Sequence, residues 1–208
     1  MTPTSSDFDA RARSWDEDAS KRERAQRVAA AIAGRVPSLG EKKVLEYGAG
    51  TGLLGLVLQP LVSEVTLADT SREMIAVANE KIVAGGLRNA KAMLLDLTVA
   101  SLPELRFDLV CTLMTLHHIP DTDAILRAFH AVLSSGGTVC VADLDREDGS
   151  FHGQGFTGHN GFDRAELRAK LERSRFRDVR FETVFEVKKV TASGARAFPV
   201  FLATAVRE

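Results

Sequence analysis

The stretch VLEYGAGTGL, residues Val44–Leu53, decides the fold of this chain. Two apolar residues and an acid, Glu46, lead into a turn that contains Gly48, Gly50 and Gly52, and an apolar helical pattern follows. A strand that passes through such a turn into a helix lets the backbone approach a ligand closely, because glycine has no Cβ and tolerates positive φ. The N–H groups that open the helix then face an anion. The stretch therefore predicts a binding site for a nucleotide-like cofactor with a negative group.

The rest of the chain alternates strand and helix patterns. Five short apolar runs have strand composition, at residues 43–47, 64–68, 91–95, 107–113 and 138–142. Helical patterns separate these runs, and this alternation requires a parallel sheet with helices on both faces. Two final runs, 179–190 and 198–207, are joined by a short link, so the last strand should run antiparallel to its neighbour. The predicted fold class is α/β, with a doubly wound, seven-stranded, mostly parallel sheet in three α/β/α layers.

Length, charge and cysteine content limit the class of protein. With 208 residues the chain is expected to form one domain, and its 27 basic and 28 acidic residues leave it nearly neutral. The chain lacks the excess of basic residues that nucleic-acid-binding proteins usually carry, so no nucleic-acid partner is expected. Cys111 and Cys140 lie in apolar runs and are expected to be buried, reduced thiols. No apolar run approaches 18 residues and the start is polar, so we expect no membrane span, no signal peptide and a cytoplasmic location. The oligomeric state has no signal in the sequence.

Two cofactor classes fit the glycine spacing. Residues Gly50–Gly55 satisfy the dinucleotide fingerprint G-x-G-x-x-G, with the acid Asp69 about 20 residues later. The longer pattern that starts at Glu46, E-x-G-x-G-x-G, instead resembles motif I of the class I S-adenosylmethionine (SAM)-dependent methyltransferases. The resemblance extends over roughly Val44–Glu208, since that family also has a Rossmann-like sheet whose last strand is antiparallel. It implies SAM as the cofactor and S-adenosylhomocysteine as the product.

The resemblance assigns roles to residues at the ends of the first two strands. Glu46 is implied to lie near the methionine end of the cofactor, beside the glycine turn. Asp69, which is followed by Thr70, matches the acid that accepts both ribose hydroxyls, and its two oxygens suit two adjacent donors. Asp69 could also cap the helix that follows. Both Asp69 and Thr70 are counted among the predicted cofactor residues.

Further cofactor contacts are implied farther along the chain. Met74 stands where the family packs an apolar side chain on the adenine, although core packing would also explain it. Asp96, after the third strand, matches the acid that accepts from the adenine amino group, with Leu97 donating through its backbone. The backbone around Leu113, at the end of the fourth strand, is implied to hold the methionine amino group. These acids fall at carboxyl ends of strands, where open α/β sheets bind ligands.

The segment Leu116–Ile119 reads LHHI and resembles that of small-molecule methyltransferases of the ubiquinone-biosynthesis and related groups. The chain lacks the N-P-P-Y type tetrapeptide of enzymes that methylate exocyclic or amide nitrogen, and it lacks the Pro-Cys nucleophile of cytosine C5 methylation. These absences argue against a nucleic-acid base and favour a small-molecule substrate. His117 and His118 are candidate proton acceptors, since imidazole titrates near neutral pH. They could equally form a structural turn.

Two other segments are candidates for substrate contact. Residues 145–161 form a long stretch rich in Gly, Asp and His, and long loops in compact domains are usually functional. His152 in this loop is a candidate substrate contact, as are His118 and Trp15. Residues 1–19 are interpreted as an N-terminal arm and a candidate lid, in front of a single domain at 20–208. No metal site is predicted, because no Cys or carboxylate stands at ligand spacing with the histidines.

The sequence thus predicts methyl transfer from SAM to a small molecule by direct in-line displacement. The nucleophile could be oxygen, nitrogen, sulfur or carbon. Two alternatives remain open at this point, an NAD-dependent oxidoreductase and a non-catalytic module of the same fold that acts through a partner protein.

Overall fold

The computed structural model describes residues 5–99, 105–191 and 194–208. The strands in these ranges are β1 (Lys43–Tyr47), β2 (Glu64–Asp69), β3 (Ala90–Leu94), β4 (Phe107–Leu113), β5 (Leu133–Leu144), β6 (Phe176–Thr191) and β7 (Gly194–Arg207). They form one seven-stranded sheet in the order β3-β2-β1-β4-β5-β7-β6. The first four residues of the predicted arm lie outside the described ranges.

The direction of the strands confirms the predicted topology. Neighbouring strands from β3 through β5 pair in parallel, while β7 runs antiparallel to both β5 and β6. The strand β5 begins at Leu133, five residues before the predicted start at Thr138. The expected helix break at Gly136 and Gly137 lies inside β5, and Gly136 takes a φ of 72° there. The register between β4 and β5 is shifted near Phe107, which accommodates this longer strand.

Successive residues of the central strands supply two separate cores, as the strand period of two requires. On one face Val44 and Leu109 pack in a cluster with residues of the helices α2 (Ala19–Arg35), α3 (Leu53–Leu58) and α4 (Arg72–Ala84). On the other face Leu45 and Val110 pack with α5 (Thr122–Val132) and α6 (Arg164–Arg173). A fully buried leucine such as Leu45 contributes roughly 1.5–3 kcal/mol. These clusters confirm the three α/β/α layers.

The N-terminal arm is helical. Residues Ser5–Arg11 form α1, and Ala12–Glu17 continue as a 3₁₀ helix. The helix α2 begins at Ala19, one residue before the predicted domain boundary, because the Asp18 side chain accepts from the Ser20 N–H and caps it. Among the described residues, no helix is both long and apolar enough to cross a membrane.

Candidate active site

A cavity of about 790 Å³ opens at the carboxyl ends of the parallel strands. This size falls in the range of small-molecule sites. Most residues predicted from the sequence line this one cavity: Glu46, Gly48, Gly50, Asp69, Thr70, Met74, Asp96, Leu113, Trp15, His117, His118 and His152. Two predicted residues do not line the cavity: Gly52 caps α3, and Leu97 is buried in the core that includes Leu45 and Tyr47 of β1. The structure therefore brings these residues to or beside one cavity, and their roles in binding stay predictions.

The glycine turn has the backbone conformation that its sequence predicts. Gly48, Gly50 and Gly52 have φ values of 70°, 55° and 83°, all in the left-handed region. A Cβ on Gly48 would lie 2.1 Å from Cγ2 of Thr115, so only glycine fits there. At Gly50 a Cβ would meet nothing closer than 3.7 Å, so this position is open toward the cavity. The turn thus forms a cradle that lets a ligand approach the main chain.

Glu46 is the most perturbed acid of the site. It lies one residue before the end of β1, its side chain is only 2% exposed, and it accepts from the Gly55 N–H at 2.8 Å. Burial raises the pKa of the Glu46 carboxyl to about 8, while the Gly55 hydrogen bond opposes this rise. A buried carboxyl of this kind gains stability when a cation comes close. Its position fits the implied methionine end of SAM, which carries a sulfonium and an ammonium group.

Asp69 ends β2, and both of its carboxylate oxygens accept from the backbone. Gly50 N–H donates to Oδ2 at 2.7 Å, and Ser71 N–H donates to Oδ1 at 2.9 Å. Burial raises the pKa of the Asp69 carboxyl, and these N–H groups oppose the rise. Asp69 therefore ties the glycine turn to the start of α4, where Ser71 rather than Asp69 provides the helix cap. Its remaining lone pairs are available for two ribose hydroxyls, and Thr70 lies beside it.

The third acid, Asp96, follows β3 by two residues and lines the cavity. Its Oδ1 accepts from both the N–H and the hydroxyl of Thr98, at 2.8 and 2.5 Å. The Leu97 N–H donates to the Tyr47 hydroxyl at 3.3 Å, and burial raises the pKa of Tyr47 to about 12. An adenine contact by Leu97 would share or replace this hydrogen bond and stays a prediction.

The turn after β4 holds the glycine cradle in place. Met114 adopts a left-handed φ of 55°, and its N–H donates to the Ala142 carbonyl at 2.8 Å. This turn brings Thr115 Oγ1 to 3.2 Å from the carbonyl oxygens of both Gly48 and Leu113. The Leu113 backbone therefore adjoins the glycine turn, as the predicted contact with the methionine end of a cofactor requires.

The N-terminal arm supplies an apolar wall of the cavity. Phe8 and Trp15 pack edge to face, with ring centroids 6.0 Å apart, and both contact the cluster of Ala12, Met74 and Val77. Met74 itself is buried. Its position beside Trp15 and the glycine turn fits both core packing and the implied adenine contact.

Polar contacts fasten this arm to the cofactor-binding segments. Asp9 Oδ1 accepts from the Ser71 hydroxyl at 2.5 Å, at the cap of α4. Arg13 pairs with Glu80 at 2.6 Å, although both side chains are largely exposed. Asp16 accepts from the Thr51 hydroxyl, next to the glycine turn. A lid function for residues 1–19 stays a prediction, and these contacts show what would hold it closed.

A buried pair lies at the other end of the cavity. His117 Nδ1 lies 2.6 Å from Asp143 Oδ1, and the two side chains are 1% and 0% exposed. Burial by itself would raise the pKa of the Asp143 carboxyl, but His117 and the N–H groups of His117 and Leu144 bring it below its ordinary value. In a neutral ring that donates Nδ1–H to the carboxylate, the Nε2 atom of His117 carries the lone pair. That nitrogen has no hydrogen-bond partner among the described residues.

Two further histidines adjoin this pair. The His118 and His152 rings lie 4.1 and 5.0 Å from the His117 ring between centroids. Burial, followed by the charges of neighbouring groups, lowers the pKa of His118 to about 3 and that of His152 to about 4. Both side chains are therefore neutral near pH 7. Sequence spacing gave no sign of this cluster, since His152 is distant from the other two along the chain.

The long loop at 145–161 brings His152 into the site. A bridge between Asp145 and Phe162 closes the loop, and the His159 N–H donates to the His117 carbonyl at 2.8 Å. His159 Nε2 lies 3.0 Å from the Ile119 carbonyl, so this residue anchors the loop. The His152 ring stacks on Phe156 with centroids 3.9 Å apart.

Basic side chains also line the cavity, and the Lys21 ammonium lies over the Trp15 ring. The lining includes five cationic residues, Arg11, Lys21, Arg24, Lys188 and Lys189. Burial lowers the pKa of the Arg24 guanidinium, and its Nε is buried without a hydrogen-bond partner in the described part of the chain. Sequence reasoning missed these residues, because the total charge is balanced and only the fold brings them together.

Comparison with known proteins agrees with the class that this fold and site define. A family model described as a methyltransferase domain matches residues 19–189, and the chain belongs to this family. This membership confirms the predicted class I SAM-dependent methyltransferase and SAM as the cofactor of that class. The match to this family does not favour the alternative of an NAD-dependent oxidoreductase.

Individual relatives share the fold over different parts of their length. The ubiquinone biosynthesis O-methyltransferase of Xanthomonas campestris is 32% identical over 126 residues, which are 58% of this chain and 50% of that protein. The chain thus spans about half the length of the curated relatives it matches. A SAM-dependent methyltransferase from Aquifex aeolicus superposes with a TM-score of 0.70 at 18% identity, over 96% of this chain and 98% of that one. Phosphoethanolamine N-methyltransferase 2 of Haemonchus contortus, in complex with SAM, has a TM-score of 0.70 at 16% identity, over 86% and 52%.

Proposed function

We propose that this chain transfers the sulfonium methyl group of SAM to a small anionic acceptor. The observation that carries the proposal is the division of one cavity into a glycine cradle with strand-end acids and a basic, histidine-lined end. Bound SAM supplies a methyl carbon whose bond to sulfur breaks as an acceptor lone pair bonds to it, leaving the electron pair on sulfur in S-adenosylhomocysteine. The chain supplies orientation and a site from which water is excluded.

The cradle end suits SAM through charge as well as shape. Glu46, Asp69 and Asp96 are the acids that face the cavity from the ends of the first three strands. A carboxylate beside the turn favours the two positive charges at the methionine end, whereas it would repel a dinucleotide pyrophosphate. We therefore place SAM with its methionine end toward Glu46 and its nucleoside toward Asp69 and Asp96.

The opposite end suits an anion. The charges of Asp18 and, more weakly, of Asp143 act on the Arg24 guanidinium, and the nearness of Asp143 places Arg24 by the histidine cluster. Lys188 and Lys189 line the same cavity from β6. A buried guanidinium nitrogen without a partner is costly, and a carboxylate or phosphate would supply two acceptors in the matching geometry. An acidic metabolite therefore fits this end better than a neutral one.

The histidine cluster is the part of the chain placed to act on the proton of the acceptor. An acceptor hydroxyl must lose its proton as the new bond forms. His118 is a weak base, since its pKa is about 3, so we do not assign it the role of sole proton acceptor. His117 is better placed, because Asp143 orients it with the Nε2 lone pair unpaired.

The proposal is tested by measuring the release of S-adenosylhomocysteine. The substrates are a panel of small acids that carry hydroxyl or amino groups, and the methyl ester of each acid is its matched control. We expect turnover of at least one acid and little or none of its ester. The Arg24→Gln variant should raise KM for that acid at least about tenfold (roughly 1.4 kcal/mol) without changing the Kd for SAM. Arg27→Gln, on the exposed face of the same helix, is the control.

Equal turnover of acids and esters, or an Arg24→Gln variant with unchanged KM, would contradict the anionic acceptor. SAM binding without turnover of any compound in the panel would favour the non-catalytic module. A cytoplasmic location and the absence of a nucleic-acid partner belong to this proposal as well. The near balance of 27 basic and 28 acidic residues supports the latter.

A further inference from the structure

Three histidine side chains converge at the acceptor end of the cavity. One ring nitrogen from each of His117, His118 and His152 lies within 4.8 Å of the other two. Ligand nitrogens around a tetrahedral zinc ion are about 3.4 Å apart, given Zn–N distances of about 2.0–2.1 Å. Small rotations of the three rings would close this difference. We propose that these three side chains bind one divalent transition-metal ion of the zinc type, with the fourth position open toward the cavity.

Unpaired nitrogens are the first observation that points to a ligand. His117 Nε2, His118 Nδ1 and His152 Nε2 are all buried and have no hydrogen-bond partner among the described residues. A buried polar atom that lacks a partner destabilises the folded chain. Three such atoms on three adjacent rings have a common explanation if they share one ion.

The surroundings of His117 are the second observation. Asp143 accepts from His117 Nδ1 and is itself held by the Leu144 N–H at 2.7 Å. Metal-bound histidines almost always donate their other ring N–H to a carboxylate or carbonyl in this way. The carboxylate fixes the ring and makes Nε2 a better ligand. Asp143 is thus a positioning residue for the site.

The positions of the cluster side chains are also constrained. Aromatic rings limit their movement: Phe156 stacks on His152, and Phe8 meets the His118 ring edge to face with centroids 5.4 Å apart.

Nearby cations define what the open position would take. The charges of Arg11 and Lys189 act at His118 and His152 and oppose a cation at this place. Asp143 offsets only one positive charge. An anionic ligand would therefore favour metal binding, and an acceptor oxygen in the open position would supply it. A metal-bound hydroxyl has a lowered pKa, so the ion would take over the activation of the acceptor from His117.

The inference rests on the proposed function only for the identity of that fourth ligand, and metal binding can be measured without substrate. Untagged protein freed of metal with a chelator is titrated with Zn²⁺ in a calorimeter and with Co²⁺ by visible absorption. We expect one equivalent to bind, with the intense bands of four-coordinate cobalt. His152→Gln and His118→Gln should each weaken binding at least tenfold, and Asp143→Asn should weaken it about 10–100-fold.

His130→Gln is the matched control. His130 Nε2 is also buried without a partner among the described residues, but its ring packs on Phe176, and neither residue lines the cavity. We expect it to leave metal affinity unchanged, and circular dichroism checks that each variant folds. His152 belongs to a loop outside the sheet, so its variant should fold even if others do not.

Absence of saturable uptake by the wild type would overturn the metal site and leave His117 as a metal-free base. The metal site would also be overturned if both histidine variants bound the metal as the wild type does, or if the His130→Gln control lost affinity to the same extent. SAM affinity is measured on the same samples. Loss of metal binding with intact SAM binding contradicts this inference alone, and metal binding without SAM binding contradicts the proposed function alone.

Discussion

Glu46→Gln should stabilise the fold near neutral pH while it weakens the binding of SAM. The Glu46 carboxyl is 2% exposed, and burial raises its pKa from 4.5 to about 8. Between these two pH values the folded chain holds a proton that the unfolded chain has released. The free energy of unfolding therefore falls with rising pH, by about 1.4 kcal/mol per pH unit for this one group. The glutamine of the variant would have no such dependence and would retain an oxygen that can accept from the Gly55 N–H.

We compare the free energy of unfolding of the variant with that of the wild type. Between pH 4.5 and pH 7 this comparison should shift by about 3 kcal/mol in favour of the variant. Urea unfolding of both proteins at pH 5, 6, 7 and 8 measures it. Glu172→Gln, at an exposed position of α6, is the control and should show no trend in this difference. The free energies of unfolding of wild type and variant could instead differ by the same amount from pH 5 to pH 8. That result would show that Glu46 is already ionised at pH 5 and would refute the reasoning.

The same carboxyl links SAM binding to pH. A positively charged methionine end beside Glu46 favours its ionised form, so binding should release a proton. SAM affinity should then rise by up to about tenfold per pH unit below pH 8, and the Glu46→Gln variant should lose this dependence. Calorimetry in buffers with different enthalpies of ionisation detects the released proton directly.

Three other perturbations test separate parts of the site. Asp69→Asn should weaken SAM binding by about 1.5–3 kcal/mol in calorimetry, because it removes a charged acceptor and loosens its hold on Gly50. Gly48→Ala should lower the melting temperature and abolish SAM binding, since its Cβ would lie 2.1 Å from Thr115 Cγ2 and its φ of 70° disfavours alanine. Deletion of residues 1–17 should raise the Kd for SAM at least about tenfold (roughly 1.4 kcal/mol) and lower the melting temperature, because the arm covers the glycine turn and α4.

Each of these has a result that contradicts it. Unchanged SAM affinity in a folded Asp69→Asn protein would remove the ribose assignment. Gly40→Ala, where a Cβ would meet only one atom at 3.9 Å, is the control for Gly48→Ala and should be nearly neutral. A truncated protein that keeps full SAM affinity would limit the arm to a structural role.

Much of the fold follows from local sequence signals. The spacing of glycines and acids placed Glu46, Asp69 and Asp96 at one edge of the sheet, because parallel strands end together. The antiparallel last strand was predictable from the short link before it. The start of β5 was not, because two consecutive glycines usually end a helix, whereas here they lie in a strand with a shifted register.

The acceptor end of the site was less predictable, because long-range packing builds it. His117 and His118 were identified from their motif, but their proximity to His152 depends on how residues 145–161 fold back. Asp143 directly follows the fifth apolar run, and only the fold brings it to His117, which lies in the turn after β4. The helical arm has few apolar residues, and it folds on contacts with α4 that no local pattern encodes.

The central claim is that the cavity binds SAM, and thermal unfolding with added cofactors tests it most directly. SAM and S-adenosylhomocysteine at a hundredfold excess over Kd should each stabilise the protein by about 2.7 kcal/mol, while NAD and NADH should have no effect. Stabilisation by NADH together with none by SAM would contradict the account.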